Sequence, residues 1–107
     1  MIDTFYAGEV PREPEQHHSH HPWALYVKAL RAHFRNVGRG TTTGDVVVTI
    51  TAFTGRRGST TGAASTVKAA LVGAVIVDPE QVVQVVVERA PVGADGPGVR
   101  VVVVPDA

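Results

Sequence analysis

The stretch VVVTITAF, residues 46–53, decides the fold of this chain. Most of its side chains are β-branched, and such side chains favour a pleated strand. Because alternate side chains of a strand share a face, the drier face is predicted to hold Val46, Val48, Ile50 and Ala52. Valine-rich runs at 82–89 and 99–104, with a looser alternation at 2–10 closed by prolines 11 and 14, predict three more strands.

Two helices are predicted between these strands. Pro22 suits the first turn of a helix. The apolar residues that follow recur every three or four positions, as one helical stripe requires; they are Trp23, Val27, Leu30 and Phe34. This helix is predicted to end at Val37–Gly38. A shorter helix is predicted over 63–71, with Gly73 just past its end.

The predicted element order is β-α-β-α-β-β, which indicates an α+β fold with a mixed four-stranded sheet and two helices. A length of 107 residues allows one domain, covering residues 1–107. Three loops are predicted within it: a His-rich loop at 13–22, a basic glycine-rich loop at 54–62 and a hairpin loop at 91–98.

The amino-acid composition excludes several classes of protein. The absence of cysteine excludes disulfides, thiol catalysis and zinc fingers, and it favours an intracellular protein. No signal peptide or membrane-spanning run is recognisable, so we expect a cytoplasmic protein without membrane partners. The net charge is zero, yet residues 28–68 hold seven basic residues against one acidic residue. Such a basic middle section can present a local positive field to a polyanion, unless the acidic ends fold back and neutralise it.

The segment 66–89, TVKAALVGAVIVDPEQVVQVVVER, carries a family resemblance. Lys68 stands at the lysine of an Asp-x-Asp-Asn-Leu-x-Lys stretch. Gly73 to Val83 matches a Gly-Val-Val-x-Asp-Asp-x-Gln-Val-Val stretch, with Asp78 on the first of the paired aspartates. The segment, about a quarter of the chain, thereby resembles the RusA-like Holliday-junction resolvases. The resemblance implies a Mg²⁺-dependent junction endonuclease, a homodimer and a phage or prophage origin.

The departures from this pattern concern the catalytic carboxylates. The first two aspartates of the family pattern fall on Gly62 and Ala64, and the second of the paired aspartates falls on Pro79. These side chains cannot hold Mg²⁺, and the loss of metal activation removes several kcal/mol of transition-state stabilisation. Lys68 and Asp78 are the only matched catalytic positions. We therefore expect a degenerate family member with no catalytic residues and no cofactor.

The nucleic-acid-binding candidates are all basic. Arg56, Arg57 and Lys68 form the first set, because a site without its carboxylates is left with a net positive charge that can bind phosphate. A solvated loop tip and a helix-surface lysine explain them equally well. The second set is a row on the first helix whose members are about one helical turn apart: Lys28, Arg31 and Arg35. This row either extends the surface of the first set or forms the polar edge of the helix.

Histidines and aromatic residues give weaker candidates. The histidine-rich loop offers imidazole ligands that could bind a transition metal; it contains His17, His18, His20 and His21. A solvated loop is the simpler interpretation. The weak metal candidates are His17, His21 and Asp78. Base stacking by Trp23, Tyr26 or Phe34 competes with a core position on the helical stripe.

Three functions remain open from the sequence. The first is a non-catalytic RusA-like protein that binds DNA, including branched DNA, or acts as a regulator. The second is a protein–protein module in which a valine-rich sheet edge, such as 99–104, pairs with itself or with a host protein. The third is a Mg²⁺-dependent structure-specific endonuclease with a relocated site around Asp78, Glu80 and the histidines.

Overall fold

The structure of the chain is a computed structural model that describes residues 2–16, 18–55 and 62–106. It is an α+β fold with the predicted element order β-α-β-α-β-β. The strands are β1 (Ile2–Ala7), β2 (Val46–Phe53), β3 (Val82–Ala90) and β4 (Gly98–Pro105); the helices are α1 (Pro22–Val37) and α2 (Ala63–Leu71). A short 3-10 helix, Pro79–Gln81, precedes β3 and was not predicted.

The four strands form one mixed sheet in the order β1-β4-β2-β3. β4 is antiparallel to both of its neighbours, whereas β2 and β3 are parallel. Consequently β1, β2 and β3 all run in one direction, and we call the edge of the sheet at which they end its C-terminal edge. Each helix follows a strand that ends there and leads back to the N-terminal edge, where the next parallel strand begins.

The core lies between the helices and one face of the sheet. The predicted α1 stripe is buried, and Leu30 and Phe34 are completely inaccessible to solvent. The predicted dry face of β2 is also buried, and every second residue of β4 joins it. Full burial of a side chain of this size stabilises the fold by roughly 1.5–3 kcal/mol. The opposite face of the sheet carries no helix among the described residues, and we call it the open face.

The predicted helix boundaries are confirmed at both helices, and their ends have local causes. His21 is the N-cap of α1: its Nδ1 accepts a hydrogen bond from the Trp23 backbone N–H at 3.0 Å. Pro22 occupies the first turn, where the missing N–H costs nothing. At the other end, the Gly38 N–H donates to the Phe34 carbonyl at 2.9 Å.

Two expectations about the strands are wrong. β1 ends at Ala7 rather than at residue 10, because Gly8 turns the chain with a φ of +109° that only glycine adopts without strain. β4 is not a sheet edge, because it pairs with β1 on one side and with β2 on the other. The edges are β1 and β3.

Among the described residues, neither helix has the length and apolar character needed to cross a membrane.

Candidate nucleic-acid interface

The two helices form one outer surface of the molecule, which we call the helical face, and the helices themselves carry only positive charge. Acidic residues lie beside the first half of α1, where Glu9 is near Tyr26. Residues 22–37 and 63–71 contain no Asp or Glu, and their charged side chains are Lys28, Arg31, Arg35 and Lys68. The open face of the sheet is different, since strand alternation places Asp3, Glu88 and Arg100 on it. The fold therefore separates a cationic helical face from an open face of mixed charge.

Three of these cations come together in one groove. Lys28, Arg31 and Arg35 line it from α1, and Ala69 lines it from α2. The groove has a volume of about 570 Å³. Its basic side chains repeat at intervals of three and four residues, so they follow one another along one side of α1, about 4.5 and 6 Å apart along the helix axis. The predicted row thus lies along one groove, whose other lining residues are mostly apolar.

Backbone carbonyls at the end of α2 hold two of these arginines in place. Arg31 Nη2 donates to the Ala69 carbonyl at 2.8 Å, and Arg35 Nε donates to the Gly73 carbonyl at 3.4 Å. Ala69 lies in the last turn of α2, where carbonyls lack intrahelical partners and carry partial negative charge, so a guanidinium stabilises it; Gly73 lies two residues beyond the helix. Arg31 and Arg35 therefore have a structural role in joining the two helices, and this role also fixes their position in the groove.

The remaining basic candidates differ in their surroundings. Lys28 is exposed and Lys68 is half-exposed, and no ion pair fixes either side chain among the described residues. Lys68 lies next in the chain to Ala69 but does not line the groove. Arg56 and Arg57 lie outside the described residues.

The positions matched to the catalytic aspartates lie at opposite edges of the sheet. Gly62 is the N-cap of α2 and Ala64 lies in its first turn, at the C-terminal edge of the sheet. Asp78 precedes β3 at the N-terminal edge, because α2 carries the chain across the sheet between them. The Asp78 carboxylate accepts a hydrogen bond from the Glu80 N–H at 2.9 Å and caps the 3-10 helix. The structure does not bring these positions together.

The weak metal candidates are also separated. His17 lies outside the described residues, and Asp78 lies at the other edge of the sheet from His21. The His18 ring packs against the His21 ring with 5.5 Å between centroids. In the neutral His21 ring, the hydrogen bond accepted by Nδ1 places the proton on Nε2, where it occupies the position a metal would take. Among the residues that the structure describes, no group of three or more His, Asp or Glu side chains could hold a metal ion.

Two of the aromatic residues weighed for base stacking belong to the core. Trp23 and Phe34 are buried, and Trp23 Nε1 donates to the Thr66 hydroxyl at 2.9 Å. Tyr26 is half-buried and packs edge-on against Tyr6 at 5.6 Å. Burial raises the pKa of the Tyr26 hydroxyl, and nearby Tyr6 and Glu9 act in the same direction. The helical face thus presents cations to a ligand without an exposed stacking platform from these three residues.

On the open face, Asp3 and Arg100 neutralise each other. Arg100 donates to both carboxylate oxygens of Asp3, at 2.9 and 2.6 Å. These hydrogen bonds lower the pKa of the Asp3 carboxyl. Arg100 is therefore not available as an uncompensated cation.

Sequence reasoning missed the role of Gln81. Its side chain is buried and bridges two segments: Oε1 accepts from the Val77 and Asp78 N–H groups, and Nε2 donates to the Thr42 and Gly44 carbonyls. All four bonds measure 2.8 Å. The available signal was the spacing of Asp78 and Gln81, because an N-cap residue followed three positions later by Gln is the pattern of a capping box.

Comparison of the chain with protein-family models, with curated proteins and with solved structures found no match.

Proposed function

We propose that this chain is a non-catalytic nucleic-acid-binding protein that holds the phosphate backbone of DNA on its helical face. The observation that carries the proposal is the groove of Lys28, Arg31 and Arg35, which none of the described acidic residues lines, between two helices that contain no Asp or Glu. Phosphate contacts supply most of the affinity of nucleic-acid binding and are made chiefly by lysine and arginine. The resemblance to RusA-like resolvases, with its phage or prophage setting, supports DNA as the polyanion.

The type of contact follows from the side chains on the helical face. The guanidinium of Arg31 is already positioned by the Ala69 carbonyl of α2, so less side-chain entropy is lost when it binds a ligand. Trp23 and Phe34 are buried and cannot stack on bases. Binding should therefore depend on the phosphate backbone and its shape, including that of branched DNA, rather than on base sequence.

Catalysis is not part of the proposal. The carboxylates expected for Mg²⁺ are replaced at Gly62, Ala64 and Pro79, and Asp78 caps a 3-10 helix. Cleavage of a four-way junction in Mg²⁺ or Mn²⁺ that disappears in Asp78→Asn would instead establish the nuclease with a relocated site.

The binding test measures the affinity for a duplex and for a four-way junction by fluorescence anisotropy over a range of salt concentrations. If Lys28, Arg31, Arg35 and Lys68 each contact a phosphate, the slope of log K against log salt should be about −3 to −4. The double variant Lys28→Gln, Lys68→Gln should reduce this slope by roughly 2. These two lysines are chosen because neither makes a hydrogen bond that joins α1 to α2, so we expect both substitutions to retain the fold.

Arg100→Gln is the control on the open face and is compared with the single variants Lys28→Gln and Lys68→Gln, because each of the three removes one positive charge. Arg100→Gln should leave both affinity and salt slope at the wild-type values. An affinity that does not fall with salt would contradict DNA binding. Equal losses in the single lysine variants and in Arg100→Gln would contradict the assignment to the helical face.

A further inference from the structure

The outer edge of β3 presents unpaired backbone groups. β3 lies at the end of the sheet and pairs only with β2. The Ala90 carbonyl accepts from the Thr54 N–H, so Ala90 and every second residue before it face β2. The N–H and C=O groups of Val85, Val87 and Arg89 therefore point away from the sheet, and no strand pairs with them among the described residues.

This edge lacks the features that normally prevent strands from pairing. β3 has nine residues, and none of them is a proline or a lysine. Its one irregularity lies at its start, and the pairing with β2 is regular from Gln84 to Ala90. Its only charged residues, Glu88 and Arg89, lie near its C-terminal end and project from opposite faces, so the middle of the strand from Gln84 to Val87 carries no charge. Natural edge strands are usually protected by charge, bulges, proline or a covering segment, and an unprotected edge is a site for pairing with another chain.

We propose that a second copy of this chain pairs with the edge, β3 against β3 in antiparallel orientation, with the two-fold axis at Val86. In this register Glu88 lies opposite Gln84 of the second copy, so the carboxylate can accept a hydrogen bond from an amide. A two-fold axis at Glu88 or Arg89 would instead place like charges opposite each other. The assignment is independent of nucleic-acid binding.

Packing on the other face of β3 fits the same register. Val85 and Val87 are half-buried at the rim of the core. Antiparallel pairing about Val86 places each of them beside the other valine of the second copy and removes both from water. The paired sheets form eight strands, and both helical faces lie on the same side, because the two-fold axis runs perpendicular to the sheet.

The test uses the absence of cysteine in this chain, which makes a single introduced thiol unambiguous. Val86 faces β2 with its backbone, so Val86 and its symmetry mate form a non-hydrogen-bonded pair with Cα atoms about 4.5 Å apart, a separation that a disulfide can span. Oxidised Val86→Cys should therefore run as a covalent dimer. Val102→Cys is the matched control on the open face of β4, an interior strand, and it should remain monomeric on denaturing gels.

A second pair of variants tests the interface without a cross-link. Val86→Lys places two ammonium groups opposite each other and should weaken the dimer at least about tenfold in sedimentation equilibrium, whereas Val102→Lys should not. Circular dichroism checks that both variants fold. A wild-type chain that is monomeric in light scattering at high concentration would overturn the proposal. So would a dimer that Val102→Lys disrupts and Val86→Lys does not, since that result indicates stacking of the open faces.

Discussion

The amide of Gln81 offers the sharpest test of the fold, and Gln81→Glu is the informative change. The substitution retains size and shape but replaces the NH₂ group by an oxygen. The Thr42 and Gly44 carbonyls, each 2.8 Å from Nε2, would then face an acceptor instead of a donor. Because the side chain is only 7% exposed, water cannot readily replace the lost bonds.

The expected loss in the free energy of unfolding follows from the four hydrogen bonds of this side chain. A typical protein hydrogen bond contributes about 1 kcal/mol net, so Gln81→Met, which loses all four, should cost about 4 kcal/mol. Gln81→Glu keeps the two bonds from Val77 and Asp78 but buries a charge against two carbonyl oxygens. We expect a loss of about 3–5 kcal/mol at neutral pH. That is a large part of the roughly 5–15 kcal/mol by which a domain is stable.

The loss in Gln81→Glu should depend on pH. Burial and the facing carbonyls raise the pKa of the introduced carboxyl above its unfolded value near 4.3, because the neutral acid can donate one hydrogen bond. A raised pKa means that stability is fully present below the unfolded pKa and is lost as pH rises through the folded pKa. The variant should thus recover about 1–2 kcal/mol relative to wild type on acidification.

Urea unfolding followed by circular dichroism measures these differences. Gln16→Glu, the same chemical change at an exposed loop position, is the control and should stay within about 0.5 kcal/mol of wild type. If Gln81→Glu behaves like Gln16→Glu at neutral pH, or shows no recovery in acid, the bridging role assigned to this amide is refuted.

The remaining predictions concern three residues, the N-cap of α1 and two side chains of its first half, and urea unfolding tests each. His21→Ala should cost about 1 kcal/mol because it removes the N-cap acceptor, and His21→Asn should restore most of that loss. Tyr26→Phe should be neutral or stabilising by up to about 1 kcal/mol, because the Tyr26 hydroxyl is buried without a hydrogen-bond partner among the described residues. The raised pKa of Tyr26 also predicts that wild-type stability falls as pH rises above about 10, where the unfolded tyrosine ionises, and that Tyr26→Phe reduces this fall. Trp23→Phe should cost about 1–3 kcal/mol, through lost volume and the lost bond to Thr66; a value near zero would contradict the buried position of this ring.

The elements of this fold could be predicted from the sequence because each carries a local pattern. The stripe from Trp23 to Phe34 and the alternation of β2 depend only on residues within the same element. The position of each strand in the sheet has no such signal. Edge and interior strands of valine show the same alternation, so the assignment of 99–104 to an edge was wrong, although the strand itself was predicted.

The residue types of the candidate site could be predicted from the sequence, but the contacts that these residues make could not. A row at 28, 31 and 35 identifies one helix face, but the partners of Arg31 and Arg35 are carbonyls 38 residues away. Periodicity within α1 cannot show that α2 ends beside it. The four bonds of Gln81 likewise join segments that are up to 39 residues apart.

The residues that carry the family resemblance build the turn into β3. Asp78 caps the 3-10 helix, Pro79 occupies its first position and Gln81 ties it to the segment before β2. Each side chain has a structural reason that holds whether or not a metal was ever bound nearby, and proline suits the first helical position because its missing N–H has no intrahelical partner there. Asp78 is therefore no evidence of catalysis. Among the cations of the helical face, Arg31 and Arg35 have a structural role as well, because they join the two helices. Lys28 and Lys68 make no hydrogen bond or ion pair among the described residues, so the proposed phosphate binding is tested most directly at these two side chains.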